Sequence, residues 1–241
     1  MWSRPLNPRR PGPKAVLFDF DLTLADSTRA AEECIRYALL GMGLDPGGSD
    51  RIRRTIGLSL EATLESLTGE TDPDLRAEFR SRFLERADRV MVEGTEMIDG
   101  VVPGLDALLE RGIHLGIVST KYRYRIEAIL DRWGARDRFH VIVGGEDTKN
   151  HKPDPEGLMV ALRSLGMRPV ESVYVGDHVV DAEAARLVPL PFVGVLTGTT
   201  NAEDFLAYPH VTVLDSASEL PSLLDGLGAW PPKGALPESC P

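Results

Sequence analysis

Cysteine is scarce in this chain. Of 241 residues only Cys34 and Cys240 carry a thiol, too few for a disulfide framework. No Cys/His spacing suits zinc, and a reducing, cytoplasmic setting fits best. No apolar run approaches the roughly 18 residues that a membrane-spanning helix needs. Met1 to Pro13 holds Arg4, Arg9 and Arg10 with four prolines but no apolar stretch, so it reads as a flexible leader and not as a secretory signal. Positive charge is in deficit: the formal net charge is −10, which weighs against nucleic acid or an anionic membrane as the partner. Lysine is rarer still, with 5 among the 27 basic residues. No internal repeat is present. What remains, 42% hydrophobic and 27% charged, is the composition of a soluble globular protein with a sizeable core.

The hydrophobic pattern switches twice along the chain. Lys14 to Phe20 reads as a buried strand. From Asp26 to Glu96 helical spacing dominates: Ala30 to Leu40, Leu58 to Leu67, and Pro73 to Met91, with Pro73 suited to a first helical turn. After Gly100, strands alternate with helices: Ile113–Val118, Tyr124–Trp133, Phe139–Val143, Pro155–Leu165, Ser172–Val175, Val179–Leu187, Phe192–Val195, Ala202–Leu206, Val211–Leu214, Ser218–Leu223. Continuous apolar strands between helices imply an α/β fold, a doubly wound, mostly parallel sheet covered on both faces. The first strand belongs to that later series. The expected organisation is a leader (1–13), an α/β core (14–25 and 97–228), an inserted helical domain (26–96) and a Pro-rich tail (229–241), disordered from Trp230 onward.

Ligands of such sheets bind at the carboxyl ends of the strands. Strand one ends in Asp19-Phe20-Asp21-Leu22-Thr23, with two carboxylates two residues apart on one side of an extended chain. Crowded carboxylates at a dry sheet edge call for a cation or a shared proton. Alone, a strand ending in a polar turn explains the pentapeptide equally well. The Ile113–Val118 strand ends in Ser119-Thr120-Lys121, and Ser172–Val175 ends in Gly176-Asp177…Asp181. A loop ahead of the Pro155 helix carries Lys152-Pro153-Asp154-Pro155. Each element is weak by itself; four carboxylates, a hydroxyl and a lysine at one edge are not.

These four segments, in this order, resemble the motifs of the haloacid dehalogenase superfamily, in its phosphatase branch, and are most similar to those of the phosphoglycolate phosphatases. The resemblance spans about residues 14 to 226 and implies a Rossmann-like core with a mobile helical cap. It implies Asp19 as the nucleophile that becomes an aspartyl phosphate and Asp21 as general acid, then base. Ser119 and Lys152 would bind the transferring phosphoryl group. A Mg²⁺ ion would be held by the Asp19 carboxylate, the Asp21 carbonyl and Asp177, with Asp181 acting through a water or by orienting Lys152.

Thr23, Thr120 and Lys121 are expected near the substrate. Gly57, in Thr55-Ile56-Gly57-Leu58-Ser59-Leu60, matches the cap segment that faces the active site. Arg54, with Arg51 and Arg53, is the candidate for a substrate carboxylate or second phosphate, although a solvated helix face accounts better for at least two of the three. Chain joints near Asp26 and Glu96–Asp99 would act as hinges. The expected partner is a small phosphorylated metabolite, handled by a monomer or homodimer without nucleic acid or membrane. A dehalogenase has no need of Asp21, and a phosphonate hydrolase needs a cap lysine that residues 26–96 lack. A sugar-phosphate mutase, a pyrophosphatase and a nucleotidase remain compatible with the same core residues.

Overall fold

The computed structural model describes residues 12–236. Most of the expected leader, Cys240 and the last part of the tail lie outside the described residues. A six-stranded sheet organises the chain: β1 (Ala15–Phe18), β4 (His114–Val118), β5 (Val141–Val143), β6 (Ser172–Gly176), β7 (Phe192–Val195) and β8 (Thr212–Leu214). Their order is β5-β4-β1-β6-β7-β8, and every pairing is parallel. The chain winds from β1 outward through β4 to β5, then crosses to β6 on the other flank of β1. The carboxyl ends of β4, β1 and β6 therefore stand side by side at the switch point of the sheet.

Side-chain alternation divides the interior into two apolar layers. Val16 and Phe18 of β1 join Ile117, Val173 and Val193 on one face. Leu17 joins Val118, Tyr174 and Phe192 on the other. The first layer is covered by α5 (Val101–Leu109) and α6 (Arg123–Arg132); the second by α7 (Glu156–Leu165) and α8 (Val179–Leu187). Two further short helices, α9 (Ala202–Phe205) and α10 (Leu220–Gly226), complete the C-terminal part.

Between β1 and β4 the chain leaves the sheet. A short strand β2 (Ala25–Asp26) leads into α1 (Thr28–Gly41), α2 (Ser49–Arg53), α3 (Leu60–Thr68) and α4 (Pro73–Val90). The chain returns through β3 (Glu96–Met97), which pairs antiparallel with β2. Outgoing and returning chain are thus tied side by side. Ala38, Leu39, Ile52, Leu64, Phe79 and Phe83 bury the inner faces of the four helices. Asp72 caps α4, accepting from the N–H groups of Asp74 and Leu75, with Pro73 in the first turn.

The structure adds α2, α5 and the β2–β3 pair, none of which the sequence reading had indicated; α2, β2 and β3 are very short, and α5 contains Pro103 and Gly104. It also shortens β1, which ends at Phe18 and not at Phe20. The expected disorder from Trp230 onward does not extend through the described residues: Trp230 packs against the apolar layer and Ala235 is buried. Among the described residues no helix is long and apolar enough to cross a membrane.

Candidate active site

Asp19 follows directly on β1, and its N–H still donates to the Val175 carbonyl at 2.9 Å, so the neighbouring strand holds it in place. Beyond it the chain turns sharply. Leu22 adopts φ 59°, its N–H donates to the Ala25 carbonyl (2.7 Å), and its own carbonyl accepts from the Thr197 hydroxyl. This turn gives the two aspartates different surroundings. Simple strand alternation does not describe them, because the strand has already ended.

Asp19 is buried among charges. Lys152 Nζ stands 2.8 Å from its Oδ1 as a buried ion pair. Oδ2 is buried with no donor among the described residues, while Oδ1 has the Lys152 ammonium beside it. Asp19, Asp177 and Asp181 each bring an oxygen into a cluster whose members lie within 4.8 Å of one another. Burial pushes the Asp19 carboxyl up to about 7 despite Lys152, with Asp181 and Asp21 adding to the rise. Burial, Asp181 and Asp19 likewise push Asp177 well above the usual carboxylate range. Burial opposes the charge of Lys152, but Asp181 and Asp19 more than offset it, and the ammonium is held firmly protonated.

The oxygens of Asp181 are fully engaged. Oδ1 accepts from Lys152 Nζ (2.6 Å) and lies 2.9 Å from the Tyr174 hydroxyl, while Oδ2 accepts from the His178 N–H (3.0 Å). Asp177 is aimed by the Thr23 hydroxyl, which donates to Oδ1 at 3.1 Å. Gly198 passes so close that a Cβ there would lie 1.9 Å from Asp177 Oδ2. Three carboxylates around one lysine, with Asp19 Oδ2 lacking a donor among the described residues, form an all-oxygen donor set that fits a hard divalent cation such as Mg²⁺.

Asp21 faces a different space. Its Oδ1 accepts from Ser27 Oγ at 2.5 Å and lies 3.1 Å from Lys121 Nζ. With Thr120 and Lys121 it lines a largely apolar cavity of about 70 Å³ roofed by Thr55, Ile56, Gly57 and Leu58 of the helical insert. The Thr120 hydroxyl donates to the Gly57 carbonyl at 3.1 Å, joining the sheet edge to that insert.

The segment 16–195 matches the family model for haloacid dehalogenase-like hydrolases. The chain belongs to that family. It is 31% identical over 228 residues to a phosphoglycolate phosphatase of Salmonella typhimurium, covering 86% of this chain and 90% of the relative. It is 32% identical over 219 residues to one of Xylella fastidiosa, covering 91% and 94%. Among solved structures, a haloacid dehalogenase-like hydrolase from Bacteroides fragilis superposes with a TM-score of 0.84 at 42% identity, covering 86% of this chain and 99% of that one. The relatives make this hydrolase a phosphatase of the family.

The structure of this hydrolase gathers Asp19, Lys152, Asp177 and Asp181, and places Asp21, Gly57, Thr120 and Lys121 along the adjoining cavity. Ser119, buried beside them, accepts from the Lys121 N–H at 3.3 Å. Thr23 contacts Asp177 and does not line the cavity. Arg54 is not brought there either. It is exposed, as are Arg51 and Arg53, because α2 turns Ile52 inward and leaves its arginines outside. Sequence reasoning did not single out Tyr174, Ser27, Gly198 or Arg125. Tyr174 reads as an ordinary strand residue and Arg125 as one of many helical arginines; only contacts distinguish them.

Proposed function

We propose that this phosphatase hydrolyses a small phosphomonoester of the phosphoglycolate type through an aspartyl-phosphate intermediate. The observation that carries the reading is Asp19 itself: a buried carboxylate paired with Lys152 through Oδ1, whose Oδ2 has no donor among the described residues and is free to bond to phosphorus. An Asp19 oxygen attacks phosphorus as the bond to the leaving oxygen breaks. Asp21, on the cavity side, gives its proton to that oxygen, then takes one from the water that attacks the acyl phosphate. Cleavage regenerates Asp19 and releases inorganic phosphate. Lys152 offsets negative charge at the phosphoryl oxygens, Ser119 donates to them, and Asp181 keeps Lys152 in position.

The Asp19 and Asp177 carboxylates and the Asp21 carbonyl would hold Mg²⁺, which when bound neutralises the crowded acids and the phosphoryl charge. Residues 26–96 would serve as a cap on the core formed by 14–25 and 97–228, with the paired β2 and β3 as hinge. The Thr120–Gly57 hydrogen bond supports a closed arrangement that keeps water from the cavity. The free, buried Cys34 and the acidic surface fit a cytoplasmic enzyme.

Phosphate release from a panel of phosphorylated metabolites, with and without Mg²⁺, tests the reading. Phosphoglycolate should rank at or near the top by kcat/KM, and acid quenching should trap phosphorus on Asp19. A panel that yields no phosphate, or isomerised sugar phosphate in its place, would overturn it.

A further inference from the structure

Arg125 is 3% exposed, yet its buried Nε has no acceptor. Leaving a guanidinium donor unpaired in the interior is costly, and such groups call for an explanation. The residue lies in the first turn of α6 and lines the same cavity as Asp21 and Lys121. Its guanidinium carbon sits 4.9 Å from the ring centre of Tyr124 and 5.8 Å from that of Tyr122, so two aromatic rings flank the cation. Nη2 donates to Asp88 Oδ1 at 2.5 Å and to the Tyr124 hydroxyl at 2.6 Å. Asp88 belongs to α4 of the helical insert, and its side chain is 53% exposed, a solvated counter-ion to a buried cation. Lys121, the other cation of the cavity, already has Asp21 beside it.

We propose that Arg125 is a substrate-binding residue that reads a carboxylate on the leaving group of the phosphoester. This deepens the proposed function and rests on it. The leaving oxygen must lie beside Asp21, and Asp21 opens onto the cavity that Arg125 lines; the leaving group therefore extends toward Arg125. A carboxylate accepts two parallel hydrogen bonds from the Nε–Nη2 edge of a guanidinium. It would supply the acceptor that Nε lacks and compete with Asp88 for Nη2. An uncharged leaving group would leave that donor unpaired, so the cavity discriminates by charge.

2-Phosphoglycolate and ethyl phosphate differ only in the carboxylate, and their kcat/KM values provide the test. Wild-type enzyme should prefer 2-phosphoglycolate. Arg125→Ala should lower kcat/KM for 2-phosphoglycolate about 100-fold and leave ethyl phosphate within about threefold. Arg125→Lys, which keeps the charge without the fork, should lose at least about tenfold on the carboxylated substrate alone, and it serves if the alanine variant does not fold. Asp88→Asn removes the ion pair but keeps the guanidinium, and should retain the preference. An equal fall on both substrates in the Arg125 variants, no change in either, or loss of the preference in Asp88→Asn would overturn the assignment. Failure of the parent reading looks different: wild-type enzyme then cleaves neither compound, or Asp19→Asn still cleaves both, and the assignment falls with it.

Discussion

Lys152 Nζ lies 2.8 Å from Asp19 Oδ1, and this ion pair joins the loop after β5 to the end of β1 across the sheet edge. The same ammonium lies 2.6 Å from Asp181 Oδ1. One cation thus serves two buried acids, while Asp177 accepts from the Thr23 hydroxyl. The site is short of positive charge, which makes it receptive to a divalent ion and sensitive to each of its charged members.

Asp19→Asn should abolish turnover, with phosphate release falling at least about 10³-fold, while the fold is kept. It also removes one of three crowded acids, so the metal-free variant should melt above metal-free wild type. Calorimetry and a phosphate-release assay on the same preparation check both parts. Residual activity near wild type would exclude Asp19 as nucleophile.

Lys152→Met should behave in the opposite way. Removing the single cation of a buried network costs about 3–5 kcal/mol, to be read from urea unfolding of the metal-free protein. Lys152→Arg should not restore activity, because a planar fork cannot occupy the place of a compact ammonium between two carboxylates.

Asp21→Asn should depend on the leaving group. Alkyl phosphates need a proton on departure and should lose about 10²–10⁴-fold in kcat. p-Nitrophenyl phosphate leaves as a stable anion and should lose much less. Equal losses on both would remove Asp21 from the acid role.

Thr23→Val should leave the fold intact and raise the Mg²⁺ concentration for half-maximal activity about 10–100-fold, because Asp177 loses the donor that aims it. Gly198→Ala should be more damaging, since its Cβ would collide with Asp177 Oδ2 at 1.9 Å. The Mg²⁺-induced rise in melting temperature, present in wild type and lost in Gly198→Ala, reads this without any substrate.

Cys34 offers a pH prediction away from the chemistry. Burial pushes its thiol up to about 12, above the ordinary value of 9.0. The unfolded thiol ionises first, so its contribution to stability is complete below about pH 9 and is lost as pH rises toward 12. In a Cys240→Ser background, iodoacetamide at pH 8 should leave Cys34 unmodified until denaturant is added. Rapid native-state labelling would contradict the burial.

The Asp19–Thr23 pentapeptide, Ser119 and the Asp177…Asp181 pair were legible because each sits where an apolar strand gives way to polar residues, and a parallel sheet must bring such ends to one edge; Lys152 lies in the loop before α7 and stood out through the motif it resembles. The strands themselves were legible for the same reason, as continuous apolar runs. The failures have local causes. α5 carries Val101, Leu105 and Leu108 at helical spacing, but Pro103 and Gly104 inside it are local breaker signals, and β2 and β3 are two residues each. Of Arg51, Arg53 and Arg54 at least two were expected on a solvated helix face, and the structure exposes all three, with Ile52 turned inward.

The sequence by itself determined the class of the fold and which acids a parallel sheet brings to one edge, because periodicity and strand-end polarity are local properties of the chain. Only the tertiary structure decided which cation meets which carboxylate, that Asp21 opens onto a separate cavity, and that Arg125 lines it in place of Arg54. Those are matters of distance and burial between residues remote in the chain, such as Thr23 with Asp177 and Arg125 with Asp88. Their energies depend on how far water is excluded, which no stretch of sequence records.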